Sequence, residues 1–70
     1  MTYTPVQSSN IDAVAFDAAT STLGVRFKNG GTYHYADVPQ SVYDEFLAAS
    51  SIGKFFFAYI KGKYTCEKVG

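Results

Sequence analysis

The chain has little of what usually holds a small protein together. Its 70 residues include one cysteine, one histidine, two prolines and no tryptophan. A lone Cys66 closes no intrachain disulfide, and Cys66 with His34 provides too few nitrogen and sulfur ligands for a structural zinc site. No apolar run approaches the roughly 18 residues of a membrane span. Met1 to Asn10 has neither a basic start nor an apolar stretch of the kind a secretory leader carries. These absences predict a cytoplasmic protein with no metal or cofactor and no membrane contact. Net charge is missing too, since six Lys+Arg stand against six Asp+Glu, so there is no general electrostatic attraction for nucleic acid. The length allows one domain over residues 1–70. A domain this small hides only roughly 60% of its unfolded surface, so dense packing or a partner subunit must supply stability.

The chain is rich in aromatic residues. Six Tyr and six Phe, within a 47% hydrophobic composition, argue for a folded core rather than a disordered tail. The neutral total also hides a split. Residues 1–50 carry Arg26 and Lys28 against five carboxylates, whereas residues 51–70 carry Lys54, Lys61, Lys63 and Lys68 against Glu67 alone. The excess is three charges in each direction, acidic in the body and basic at the C-terminal end.

Hydrophobic patterning predicts an α+β fold, a three-stranded antiparallel β-meander followed by two α-helices packed on one face. Ile11 to Phe16 reads as a strand after the Ser8-Ser9-Asn10 turn, with Val14 and Phe16 sharing a face. In Thr22 to Lys28, Leu23, Val25 and Phe27 alternate with Gly24, Arg26 and Lys28. Asn29-Gly30 suits a tight hairpin, and Thr32 to Ala36 returns as the third strand. Pro39 fixes a helix-compatible φ, so a helix is expected to begin there, capped by Asp37 or Ser41, with an apolar stripe of Val42, Phe46 and Ala49. Ser50 or Ser51 caps a second helix from about Ile52 to Ile60 or Lys61, and Gly62 ends it. At about 100° per residue, Ile52, Phe55, Phe56, Tyr59 and Ile60 fall in one core-facing arc, leaving Phe57 outside among Lys54 and Lys61.

Catalytic chemistry finds little to use. His34 lies mid-strand with no Ser or Cys at a spacing that implies a dyad. Gly53-Lys54 lacks the glycines and the Ser/Thr of a phosphate loop, although a phosphate could approach the amides of Ile52 and Gly53 beside Lys54. We expect no enzyme.

Binding chemistry is better represented. Tyr33 and Tyr35 share a face, and the hairpin register decides which face it is. A two-residue Asn29-Gly30 turn pairs Arg26 with Tyr33 and sets both tyrosines beside Arg26 as a platform for stacked bases. A three-residue Lys28-Asn29-Gly30 loop pairs Val25 with Tyr33 and sends them to the core side. Asn-Gly fits both. Lys61 and Lys63 interleave with Ile60 and Tyr64, as basic and aromatic residues do in single-strand binders, and also as a solvated helix end does. Phe55-Phe56-Phe57 sweeps too wide an angle for one core face, which makes Phe57 a candidate contact.

Ser8-Ser9-x-Ile11, Leu23-x-Val25-x-Phe27, Gly30, Tyr33-x-Tyr35, Val38-Pro39, Val42-Tyr43, Ala49, Ser51-x-Gly53-Lys54 and Tyr64 together resemble the KTSC domain. That family is named from the C-terminal region of some lysyl-tRNA synthetases and also occurs as short bacterial and phage proteins. The likeness covers about residues 6–64 and leaves 65–70 as a short tail. It implies an RNA context and transfers no catalytic residues.

The expectation is therefore a non-enzymatic module that binds RNA or a nucleotide through Tyr33, Tyr35, Arg26, Lys54, Phe57, Lys61 and Lys63. The alternative is a protein-interaction or self-assembling module, a homo-oligomer or a phage-type inhibitor that captures a host protein or signalling nucleotide.

Overall fold

The computed structural model describes residues 1–70. Its chain order is β1 (Thr4–Pro5), β2 (Ile11–Asp17), β3 (Thr22–Phe27), β4 (Thr32–Tyr35), α1 (Gln40–Ala48), α2 (Ile52–Phe55) running on as a π-helical stretch (Phe56–Ile60), and β5 (Cys66–Lys68). The class is α+β as expected, but the sheet has five antiparallel strands in the order β1-β2-β3-β4-β5 rather than three. Both additional strands are exposed edges. β1 contains Pro5, which is confined to edges because it donates nothing to a ladder. β5 carries no apolar alternation and is exposed throughout, so no hydrophobic period marks it. The segment read as a tail is thus pinned to β4: Tyr33, His34 and Tyr35 pair with Lys68, Glu67 and Cys66.

One face of the sheet carries the core. Val14, Leu23, Val25 and Tyr35 alternate onto it and meet Phe46 of α1, Ile52 of α2, and Phe56 and Ile60 of the π-helical stretch. In α1 only Phe46 is fully buried; Val42 and Tyr43 are half-buried, with Tyr43 stacked on Phe16 at 4.9 Å. The expected side-chain cap of α1 is absent. Pro39 itself occupies the cap position at φ −64°, and Asp37 adopts a left-handed φ of 58° instead of capping. For α2 the cap is as expected, Lys54 N–H donating to the Ser51 hydroxyl at 3.3 Å.

Beyond Phe55 the helix departs from α winding. Lys61 N–H donates to the Phe56 carbonyl, an i→i+5 bond of 2.8 Å. At α winding, residues four apart drift by about 40° around the helix. The wider π turn reverses that drift, so Ile52, Phe56 and Ile60 stay aligned over the sheet and are all buried. It also rotates Tyr59 off the core. Tyr59 is 61% exposed, correcting the expectation that it packs inside, and it rests on half-buried Phe55 at 4.8 Å.

The opposite face of the sheet is covered by the N-terminal segment. The small residues Ala13, Ala15 and Gly24 are buried there. A Cβ on Gly24 would collide with the Tyr3 hydroxyl and come within 2.9 Å of the Met1 sulfur, so glycine is what lets both side chains lie on the sheet.

Candidate functional site

The β3–β4 hairpin settles the register. Phe27 N–H donates to the Gly31 carbonyl at 2.8 Å and Gly30 N–H to the Phe27 carbonyl at 3.0 Å, with Gly30 at φ +110°. The loop therefore has three residues, and Val25 pairs with Tyr33 and Leu23 with Tyr35. This rules out the platform of two tyrosines beside Arg26. Arg26 pairs with Thr32 and points to the other side of the sheet. There its guanidinium lies 4.5 Å from the centre of the Tyr3 ring and 3.9 Å from the Asp12 carboxylate.

Tyr33 and Tyr35 take different roles on the helix side. Tyr35 is 5% exposed and belongs to the core, and burial, with Cys66 and Tyr33 close by, pushes its phenol up to about 12. Tyr33 is half-buried, its ring folded back over Gly31, where an added Cβ would meet it at 2.9 Å. Between this hairpin and the π-helical stretch lies an open cleft of about 320 Å³. Tyr33, Phe27, Phe56, Phe57 and Lys61 line it, with Tyr35 and Cys66 at its sheet side.

Phe56 organises the cleft through edge-to-face contacts. Its ring meets Phe27 at 5.4 Å, Tyr35 at 5.7 Å and Phe57 at 5.6 Å, while Phe27 meets Tyr33 at 5.7 Å. Phe57 stands at the rim, 53% exposed, with the Lys61 ammonium 4.8 Å from its ring centre. α-Helical geometry places Phe57 outside the core, and it does lie outside. Phe27 and Asn29 also line the cleft, which the sequence does not reveal because it follows from the hairpin register.

The fold divides the seven candidates from the sequence. Tyr33, Tyr35, Phe57 and Lys61 converge on the aromatic cleft. Arg26 lies on the far side of the sheet, and exposed Lys63 does not line the cleft. Lys54 lines a second, larger cleft of about 630 Å³, whose walls are the Gln7–Asn10 turn and the start of α2, with Phe57 at its border. Arg26–Asp12 is the one ion pair in the molecule, so Lys54, Lys61 and Lys63 have no carboxylate partner.

In the β4–β5 register His34 pairs with Glu67 and Tyr35 with Cys66, which sets His34 and Cys66 on opposite faces of the sheet. No group of three or more His, Cys, Asp or Glu side chains is placed to hold a metal ion. No helix is long and apolar enough to cross a membrane.

Comparison with known proteins adds a family. Residues 7–64 match the KTSC domain. A protein of Tsukamurella paurometabola is 43% identical over 60 residues, covering 86% of this chain and 90% of that protein. A lysine–tRNA ligase of Trichormus variabilis is 35% identical over 63 residues, covering 90% of this chain but 11% of the ligase. The crystal structure of a KTSC domain protein from Yersinia pestis superposes with a TM-score of 0.96 at 39% identity, covering 99% of this chain and 97% of that one.

Proposed function

The chain belongs to the KTSC domain family, and from that premise and the cleft geometry we propose a non-enzymatic module that binds RNA or a nucleotide. The observation that carries the reading is the convergence of Tyr33, Phe57 and Lys61 on one open cleft walled by Phe27 and Phe56. A planar base entering it meets ring faces and edges on several sides, and stacking of this kind is worth about 1 to 3 kcal/mol per base. The volume of about 320 Å³ falls within the roughly 300 to 1,000 Å³ of small-ligand sites. Lys61, already placed over Phe57, supplies a cation at the rim for phosphate. The occurrence of a related region within lysine–tRNA ligases supports RNA over other aromatic ligands.

Zero net charge shapes the expected behaviour. Affinity rests on a local patch rather than on the field of the whole protein. Lys54, Lys61 and Lys63 would neutralise at most three phosphates, so log K should fall against log salt with a slope of no more than about −2. The test is fluorescence anisotropy with a labelled random oligoribonucleotide at several salt concentrations. Absence of binding at low salt, both to that pool and to single nucleotides, contradicts the reading.

A second reading draws on Phe57 and Tyr59, 53% and 61% exposed on the same stretch. Rings this exposed also suit a protein partner or a second copy. Light scattering that shows concentration-dependent assembly, abolished in Phe57→Asp, would favour it.

A further inference from the structure

Phe57 borders both clefts, and the second is chemically unlike the first. The aromatic cleft is lined by rings and one lysine. The larger one, about 630 Å³, is lined by Ser8, Ser9, Asn10, Ser50, Ser51 and Lys54, without a single carboxylate. Two polar segments from distant parts of the chain make its walls. The first is a preorganised turn. The Ser8 hydroxyl accepts from the amides of Asn10 and Ile11 at 3.4 and 3.3 Å and donates to Asn10 Oδ1 at 3.1 Å. The second begins at Ser51 and lies close against it because residue 53 is glycine. A Cβ there would sit 3.2 Å from Asn10 Oδ1 and 3.5 Å from the Ser8 hydroxyl. Ser8-Ser9 and Ser51-x-Gly53-Lys54, which the resemblance to the family includes, thus face each other across one cavity.

The Ser8 proton is committed to Asn10 Oδ1, but the hydroxyls of Ser9, Ser50 and Ser51 remain free to donate, and these donors with one unpaired ammonium and no anionic wall suit a phosphate. No amide of α2 is invoked; those of Lys54 and Phe55, at its third and fourth positions, are already bonded to Ser51, through its hydroxyl and carbonyl. Resting on the nucleotide reading of the aromatic cleft, we infer that the serine-lined cleft is its phosphate subsite. The ligand straddles Phe57, with its base against Tyr33, Phe27 and Phe57 and its phosphate among the serines beside Lys54. The ligand class is a phosphorylated nucleoside, either free or as the end of a strand. Lys54 in the polar cleft then meets the terminal phosphate, and Lys61, over the Phe57 ring, is left for the next phosphate of a strand.

The test titrates isotope-labelled protein with the four ribonucleosides, their 5′-monophosphates and inorganic phosphate, following backbone amide shifts. The expected result is that nucleosides perturb Gly31, Tyr33 and Phe57 only. Monophosphates also perturb Ser9, Ser51 and Lys54 and bind about tenfold tighter, the gain of one charge-assisted contact. Lys54→Gln should remove that gain and leave nucleoside affinity unchanged, and because Lys54 is exposed the variant should keep its spectrum. Equal affinity for nucleosides and monophosphates, or an unaltered gain in Lys54→Gln, overturns the phosphate subsite while leaving the base-binding cleft intact. Silence of the Tyr33–Phe57 cleft towards every nucleoside and monophosphate overturns both readings. Short oligoribonucleotides with and without a 5′-phosphate distinguish the sources. Tighter binding of the phosphorylated strand than of the mononucleotide assigns the subsite to RNA ends, and the reverse assigns it to free nucleotides; both outcomes uphold phosphate at Lys54.

Discussion

The two faces of the sheet present the same parts in opposite states. On each, a tyrosine is seated over a glycine, Tyr3 over Gly24 and Tyr33 over Gly31. On each, a cation lies over an aromatic ring, Arg26 over Tyr3 and Lys61 over Phe57. Behind the sheet the arrangement is closed. Met1 and Tyr3 fill the space above Gly24, the Tyr3 hydroxyl is buried without a partner, and Arg26 has Asp12 within reach. In front it is open, since Tyr33 and Phe57 border a cleft and Lys61 has no carboxylate. An aromatic ring with a cation is therefore no site by itself. What distinguishes the front is unfilled space beside the rings and uncompensated charge.

Substitutions can break that contrast from either side. The largest effect is expected at Phe56, the ring that joins the front cleft to the core. Phe56→Ala should cost about 3 to 5 kcal/mol, read as the midpoint of chemical denaturation. A smaller loss would mean that the cleft collapses to refill the space.

The next effect concerns pH. Tyr35 carries its proton up to about pH 12 when folded, against an ordinary value of 10.0. The native state therefore holds a proton that the unfolded chain releases. Its contribution to stability is intact below pH 10 and declines as pH rises towards 12, by about 1.4 kcal/mol per pH unit. Burial also raises Tyr43, which acts in the same direction. Denaturation midpoints across this window should therefore fall less steeply in Tyr35→Phe than in the parent. An unchanged slope would mean that the Tyr35 phenol is better hydrated than its 5% exposure suggests.

The smallest effect belongs to the back. Tyr3→Ala should cost about 1 kcal/mol, the loss of a half-buried ring and its cation contact. Oligoribonucleotide binding should not change. Weakened binding would extend the site to the rear face.

How much could be read in advance follows the same division. Strand β3 was legible because Leu23, Val25 and Phe27 share the core face and alternate with Gly24, Arg26 and Lys28, and β2 and β4 because β-branched and aromatic residues stand on either side of it between turn residues. β5 was not, since Cys66-Glu67-Lys68 buries nothing and its place depends on where the helices deliver the chain. Tyr59 was misplaced because an α period was applied to a stretch bonded i→i+5, a winding with no sequence mark in Phe-Phe-Ala-Tyr-Ile. The choice between platform and core for Tyr33 and Tyr35 turned on one residue of loop length, and Asn29-Gly30 accommodates either. The serine-lined cleft was half visible. Both walls stood out in the resemblance, but Ser8-Ser9-Asn10 read as a turn and Ser51 as a cap, and only the packing of the β2 start against α2 brings them together. Arg26 has a tyrosine neighbour, but it is Tyr3 rather than Tyr33.

The central question is which face binds. One measurement decides it: anisotropy titration of a labelled oligoribonucleotide against the parent, Phe57→Ser and Arg26→Gln, with spectra confirming that each is folded. Loss of at least about fivefold in Phe57→Ser, matching about 1 kcal/mol of stacking, with Arg26→Gln unchanged, is the predicted result. Equal losses in both variants, or loss in Arg26→Gln alone, would contradict it.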